Sequence, residues 1–166
     1  IFKFIHYFTY LFLGLLILSF VFKKKNPIVL LLIIALIVNF LAVSIMKTAV
    51  GRERPYQILD VRHLVEDDDN TSFPSRHVQL SFAAATIIFS FYRRFGSLLF
   101  LLSLLIGIGR IYVGVHYPSD IIGGALIGVL SAILIVRIVM SKKFSRTRSF
   151  ASQLINLKNF LKYRKN

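Results

Sequence analysis

Three short blocks of this sequence combine residues that can grip an anion with residues that can move a proton. The first runs from Lys47 to Arg54-Pro55, the second is Phe73-Pro74-Ser75-Arg76-His77, and the third runs from Gly109-Arg110 to His116 and Asp120. Lys47, Arg54 and Arg110, if brought together, suit an anion with several oxygens, such as a phosphate, because ammonium and guanidinium donors form charge-assisted bonds to it. Ser75 adds a hydroxyl donor. The helix start expected beside it adds backbone N–H groups aimed at an anion. Two histidines and one carboxylate complete the set. A phosphate ester is cleaved if one imidazole attacks phosphorus while another protonates the leaving oxygen. The attacking ring must be neutral and correctly oriented. Asp120 lies four residues after His116, and a carboxylate bonded to one ring nitrogen aims the other. Pro118 lies between them, which predicts a turn rather than continuous helix.

Taken singly, most of these residues have plainer readings. Lys47 suits a span-end lysine that reaches for water, Arg54-Pro55 an ordinary loop, His77 a polar helix start, and His116 with Asp120 a structural pair. Arg110 is harder to explain away, because an arginine inside an apolar span is costly and usually functional. The case rests on all of them falling on one side of a membrane.

The elements that must carry these blocks are apolar. Of the 166 residues, 56% are hydrophobic, too many for an ordinary soluble domain. A bilayer-crossing helix needs about 20 such residues. The runs Phe4–Phe22, Pro27–Met46, His77–Tyr92, Ser97–Val115 and Asp120–Met140 predict five spans, the second opened by a proline suited to a helix start. The first run has no small-residue cleavage site and is expected to stay in the protein. Cysteine is absent, so disulfides and thiolate metal sites are excluded. The fold class is all-α: a polytopic transmembrane bundle over residues 1–140, followed by a basic amphipathic segment over 141–166.

Charge orients the bundle. The net charge is +14, and the apolar runs make a membrane surface, rather than nucleic acid, the reason for it. If five spans alternate, Lys23–Lys25, Arg93-Arg94 and the tail share one side and hold thirteen Lys and Arg residues with no acid. That side is cytoplasmic by the positive-inside rule. All seven acidic residues fall on the other side, with the three chemical blocks. The N-terminus is then outside and the C-terminus inside. In the tail, Phe150, Leu154, Leu157 and Leu161 recur at helical spacing beside Lys158 and Lys162. This fits a helix lying on anionic lipid, with a frayed, solvated tail as the open alternative. No nucleic-acid recognition motif accompanies the charge. The GxxxG spacing of Gly124 and Gly128 predicts close packing within the bundle rather than dimerisation. Tyr92, Tyr112 and Tyr117 suit the membrane interface. Glu66–Asp69 reads as a solvated loop, with a divalent ion bridging to substrate as the alternative. His6 and His63 belong to no motif.

The three blocks resemble the signature of the phosphatidic acid phosphatase type 2 superfamily: K-x6-R-P, P-S-G-H and S-R-x5-H-x3-D. Lys47, Arg54 and Pro55 match the first part, Pro74, Ser75 and His77 the second, and Arg110, His116 and Asp120 the third, with the spacings kept. The resemblance covers Lys47–Met140. It implies a membrane lipid-phosphate phosphatase in which His116 is the nucleophile, Asp120 orients it, and His77 is the general acid. Lys47, Arg54, Ser75, the Arg76 backbone N–H and Arg110 would hold the phosphoryl oxygens. Fixed cations would stabilise the charge that builds in the transition state, so neither a metal nor a cofactor is expected. Two positions depart: Arg76 replaces a glycine and Gly109 a serine. The Arg76 side chain either adds a cation for a second phosphate or acidic headgroup, or points to solvent or to Asp67–Asp69.

The expected substrate is a phosphorylated lipid of the bacterial inner membrane, met at its outer face. Lipid A 1-phosphate, phosphatidylglycerophosphate, undecaprenyl pyrophosphate and phosphatidate are the candidates, with a lean toward envelope lipids that include lipid A. Phosphotransfer to an alcohol, or a non-enzymatic anion carrier, are the rivals. Vanadium-dependent haloperoxidases share the signature but are soluble, and five apolar spans argue against them.

Overall fold

The computed structural model describes Gly14, residues 27–61 and residues 70–163, with side chains as far as Ser141. The expected span Phe4–Phe22 apart from Gly14, the lysines 23–25, His6, His63, the Glu66–Asp69 run and the side chains of the tail stripe lie outside the described residues. Among the described residues, five helices come in order after Gly14: α1 Pro27–Val50, the single turn α2 Pro55–Ile58, α3 Arg76–Phe91, α4 Arg93–Tyr112 and α5 Pro118–Tyr163.

Helix α1 does not stop where its apolar run ends at Met46. It continues through Lys47 to Val50 and closes at Gly51, whose φ of 58° lets its N–H bond the Lys47 carbonyl at 2.9 Å. The hydrophobic boundary marks the edge of the hydrocarbon, whereas the backbone stops only where a residue can turn left-handed. Lys47 is therefore on the last turn of a helix, not in a loop. The span expected over Ser97–Val115 likewise begins earlier, at Arg93, and ends at Tyr112.

Among the described residues, three helical stretches are long and apolar enough to cross a membrane: Ile28–Val50, Arg93–Tyr112 and Pro118–Ser141. Helix α3 has 16 residues, or about 24 Å at 1.5 Å per residue, less than the roughly 30 Å of a hydrocarbon core. It is the most enclosed helix, packed against α1, α4 and α5, and most of its residues from His77 to Ile88 are buried. The outer helices turn leucines and isoleucines such as Leu30, Ile45, Leu105 and Leu130 outward, as lipid contact requires. The chain is an integral membrane protein, and among its described long helices the shortest, α3, is flanked by the other three.

Small residues set how closely α5 approaches α3. A Cβ on Gly124 would stand 2.8 Å from the Ser75 carbonyl oxygen, and one on Gly128 only 2.3 Å from that of Gln79. The GxxxG face is thus used inside the bundle. At the same level a polar clasp joins three helices: Gln79 Nε2 and Ser131 Oγ both donate to Asn39 Oδ1, at 2.8 and 2.9 Å. Below the clasp, Ile28, Leu31, Ile87, Ile88, Leu99 and Ala132 belong to an apolar core. Helix α5 runs unbroken for 46 residues, past Met140 to Tyr163.

Candidate active site

The three blocks lie at one end of the bundle. Helix α1 ends there, α3 begins there, α4 returns there and α5 departs from there. The α3–α4 turn with Arg93 and Arg94 is at the opposite end.

The first block is stitched to the approach to the second. Lys47 Nζ donates to the Thr71 carbonyl, Glu53 and Thr71 pair as an isolated antiparallel bridge, and the Ser72 N–H donates to the Arg52 carbonyl at 2.7 Å. Arg54 opens the α2 turn, where Gln57 Oε1 accepts its backbone N–H at 2.7 Å. Its own guanidinium is buried and donates through Nη1 to the Val115 carbonyl at 2.9 Å, one residue before His116.

The second block heads α3. Ser75 is the N-cap residue, yet its hydroxyl makes no capping bond. Serine usually spends its hydroxyl on its own helix. Here Oγ is buried without a hydrogen-bond partner among the described residues, which leaves a donor for a phosphoryl oxygen. The first-turn N–H groups have no acceptor within the helix, as at any helix start. The Ser75 N–H donates to the Asp120 carbonyl at 3.2 Å, fastening the second block to the third. His77 comes next in the first turn and is buried.

The third block is a helix–turn–helix. Arg110 is in the last turn of α4 and is buried. Gly114, with φ 79°, reverses the chain, and Val115 N–H bonds back to the Arg110 carbonyl at 3.4 Å. His116 lies in the turn, and Pro118 begins α5, as the proline predicted. The Asp120 side chain is in the first turn of α5, where Oδ2 accepts the Tyr117 N–H at 2.8 Å, as a capping-box acid does. The same Oδ2 faces His116 Nδ1 at 3.5 Å. That is an ion-pair distance, and catalytic bonds of this kind often tighten once the reacting group engages. Nδ1 is thus the ring nitrogen turned to the carboxylate.

The structure therefore gathers Lys47, Arg54, Ser75, His77, Arg110, His116 and Asp120 as buried polar groups at one end of the bundle. The Arg76 side chain is half-buried and goes elsewhere: its guanidinium carbon lies 5.5 Å from the centroid of the Phe40 ring on α1. Its backbone N–H remains at the head of α3. One residue escaped the sequence analysis. Arg52 Nη1 donates to Asp120 Oδ1 at 3.0 Å and to Ser119 Oγ at 2.7 Å. Its only signal was a second arginine two positions before Arg54, and nothing in the spacing says where that side chain goes.

Fold and site together define a membrane-embedded helical protein with a buried, cationic, two-histidine cluster at one end. The model of the PAP2 superfamily matches residues 26–144, and the chain belongs to that superfamily. It is 38% identical over 113 residues to the bacitracin transport permease protein BcrC of Bacillus licheniformis, covering 68% of this chain and 56% of that one. It is 28% identical over 120 residues to an undecaprenyl-diphosphatase of Sulfolobus acidocaldarius, covering 71% and 58%. Among solved structures, Aquifex aeolicus LpxE matches with a TM-score of 0.70 at 33% identity, covering 82% of this chain and 85% of that chain. The chain spans little more than half the length of these two curated relatives.

Proposed function

We propose that this chain is a metal-independent phosphatase for lipid phosphates or diphosphates of the bacterial envelope, acting through a phosphohistidine. The observation that carries this reading is the His116–Asp120 pair, buried at the head of α5 and tied by Arg54 and Ser75 to the other two blocks.

His116 Nε2 attacks phosphorus, and the bond to the leaving oxygen breaks as His77 supplies its proton. The histidine becomes cationic, and the Asp120 carboxylate beside Nδ1 offsets that charge. Lys47, Arg54, Arg110, the Ser75 hydroxyl and the N–H groups heading α3 hold the equatorial oxygens, where negative charge concentrates. His77, now neutral, takes a proton from water as it attacks the phosphohistidine, and inorganic phosphate leaves. The groups facing the anion are cationic, which suits a phosphate and repels a metal ion.

The cytoplasmic side is taken as that of Arg93, Arg94 and the basic tail beyond Met140, which puts the site at the outer leaflet of the cell membrane. Anionic lipid of the inner leaflet is the partner of that tail. The test is phosphate release from phosphatidate, phosphatidylglycerophosphate, lipid A 1-phosphate and undecaprenyl pyrophosphate, with and without chelator. Release from at least one, unaffected by chelator and lost in His116→Ala, is expected. Release that needs a divalent cation, or that survives His116→Ala, would overturn the mechanism. Alcohol acceptors added to the same assay would reveal phosphotransfer as a new phosphomonoester of the acceptor.

A further inference from the structure

We infer that Arg52 is a positioning residue for the nucleophile, clamping the C-terminal side of the His116 turn while Arg54 clamps the N-terminal side. The inference rests on the phosphohistidine reading.

His116 lies in irregular chain between the positive-φ Gly114 and the start of α5, so no helical ladder fixes its backbone. Two side chains from one short segment do so instead. Arg54 holds the carbonyl of Val115, the residue before His116. Arg52 holds the residues after it. Its guanidinium carbon lies 3.9 Å from the centre of the Tyr117 ring, and its Nη1 donates to Ser119 Oγ and Asp120 Oδ1. Arg52 and Arg54 straddle the nucleophile.

The bond to Asp120 has a specific consequence. The carboxylate has two oxygens, and Oδ2 already accepts the Tyr117 N–H while facing His116 Nδ1. Arg52 occupies Oδ1. A carboxylate held at both oxygens cannot rotate, so the oxygen facing the imidazole stays there. An exposed ion pair would contribute little. This one joins an arginine side chain that is 38% exposed to an aspartate that is 0% exposed. The Arg52 backbone is itself pinned by the Ser72 N–H. Lysine could supply the charge, but not a planar group that stacks on Tyr117 while donating at its edge.

The experiment uses the full chain in detergent, with dioctanoyl phosphatidate as substrate probe. Orthovanadate probes bond formation at His116, and inorganic phosphate probes ground-state anion binding. The variants are Arg52→Gln, Arg52→Lys, Asp120→Asn and Arg52→Gln combined with Asp120→Asn. Arg52→Gln should lower kcat roughly tenfold or more with KM within about twofold, the pattern of a group felt only in the transition state. Orthovanadate binding, read directly by vanadium NMR, should weaken in parallel while phosphate inhibition does not change. In the Asp120→Asn background the same substitution should cost less than about twofold, because coupled residues are not additive. Arg52→Lys should fall between wild type and Arg52→Gln, and it carries the same comparisons if the glutamine variant does not fold. A rise in KM and in the phosphate inhibition constant with kcat retained would make Arg52 a substrate contact instead. An equal loss with and without Asp120 would also overturn the inference. Vanadate binding that depends on His116 needs no turnover, so a chain that releases no phosphate would refute the proposed function and still report on Arg52.

Discussion

The two halves of the bundle are built on opposite rules. Away from the site, Ile28, Leu31, Ile87, Ile88 and Leu99 are buried against one another and against Ala83, Ala84 and Ala85. That packing is non-directional and depends on volume. At the site end the buried groups are Lys47, Arg54, Ser75, His77, Arg110, His116 and Asp120, and burying polar groups is costly unless they are bonded. There the contacts are directional, and most run between chain segments far apart in sequence. The Asn39–Gln79–Ser131 clasp marks the border. One half supplies a scaffold that tolerates exchange. The other spends stability to hold charge in one arrangement, which is what fixed electrostatic catalysis requires.

The largest effect that would sharpen this contrast is expected at His77. His77→Ala should cut phosphate release from an alkyl phosphate by about 10²–10⁴, the range for a general acid. With p-nitrophenyl phosphate, whose leaving group needs no proton, the loss should be much smaller; equal losses on both would remove His77 from the acid role. Next, Arg110→Gln should lower kcat/KM by about 10²–10³, as for loss of one oxyanion donor, while the melting temperature holds within a few degrees. If melting collapses and the residual folded fraction is fully active, the arginine is structural and the contrast fails. Third, Gly128→Leu should destabilise the bundle by about 1–3 kcal/mol or more, since overpacking forces the backbones apart; thermal unfolding in detergent would show it. An unchanged melting temperature would mean the α3–α5 approach is looser than 2.3 Å to the Gln79 carbonyl implies. Smallest, Ile87→Val in the apolar half should cost about 0.5–1.5 kcal/mol with kcat/KM unchanged. A loss of activity there would show that the halves are coupled.

Much of the site was legible in the sequence, because its chemistry is carried by rare residue types at set spacings. An arginine inside an apolar run, and a histidine four residues ahead of an aspartate with a proline between, are conspicuous. Arg52 and the Arg76 side chain were not legible. A long basic side chain has many rotamers, and which one it takes depends on neighbours contributed by other segments. For Arg52 those are Tyr117, Ser119 and Asp120; for Arg76, Phe40. Helix ends were misread for a related reason. The apolar run locates the hydrocarbon, but α1 ends at Gly51 and α5 at no boundary that composition marks.

By itself the sequence determined that the chain enters a membrane, that it is helical there, and which residue types are available for phosphoryl chemistry. These conclusions come from transfer free energies and from the need of every backbone group in lipid for an internal bond. Only the tertiary structure decided which helix is innermost, which ring nitrogen of His116 is turned to Asp120, and that Arg52 holds the other carboxylate oxygen. Those outcomes depend on close approach between distant segments, set by Gly124 and Gly128 against α3 and by the turn at Gly114. A few tenths of an ångström there separates a hydrogen bond from a mere neighbour.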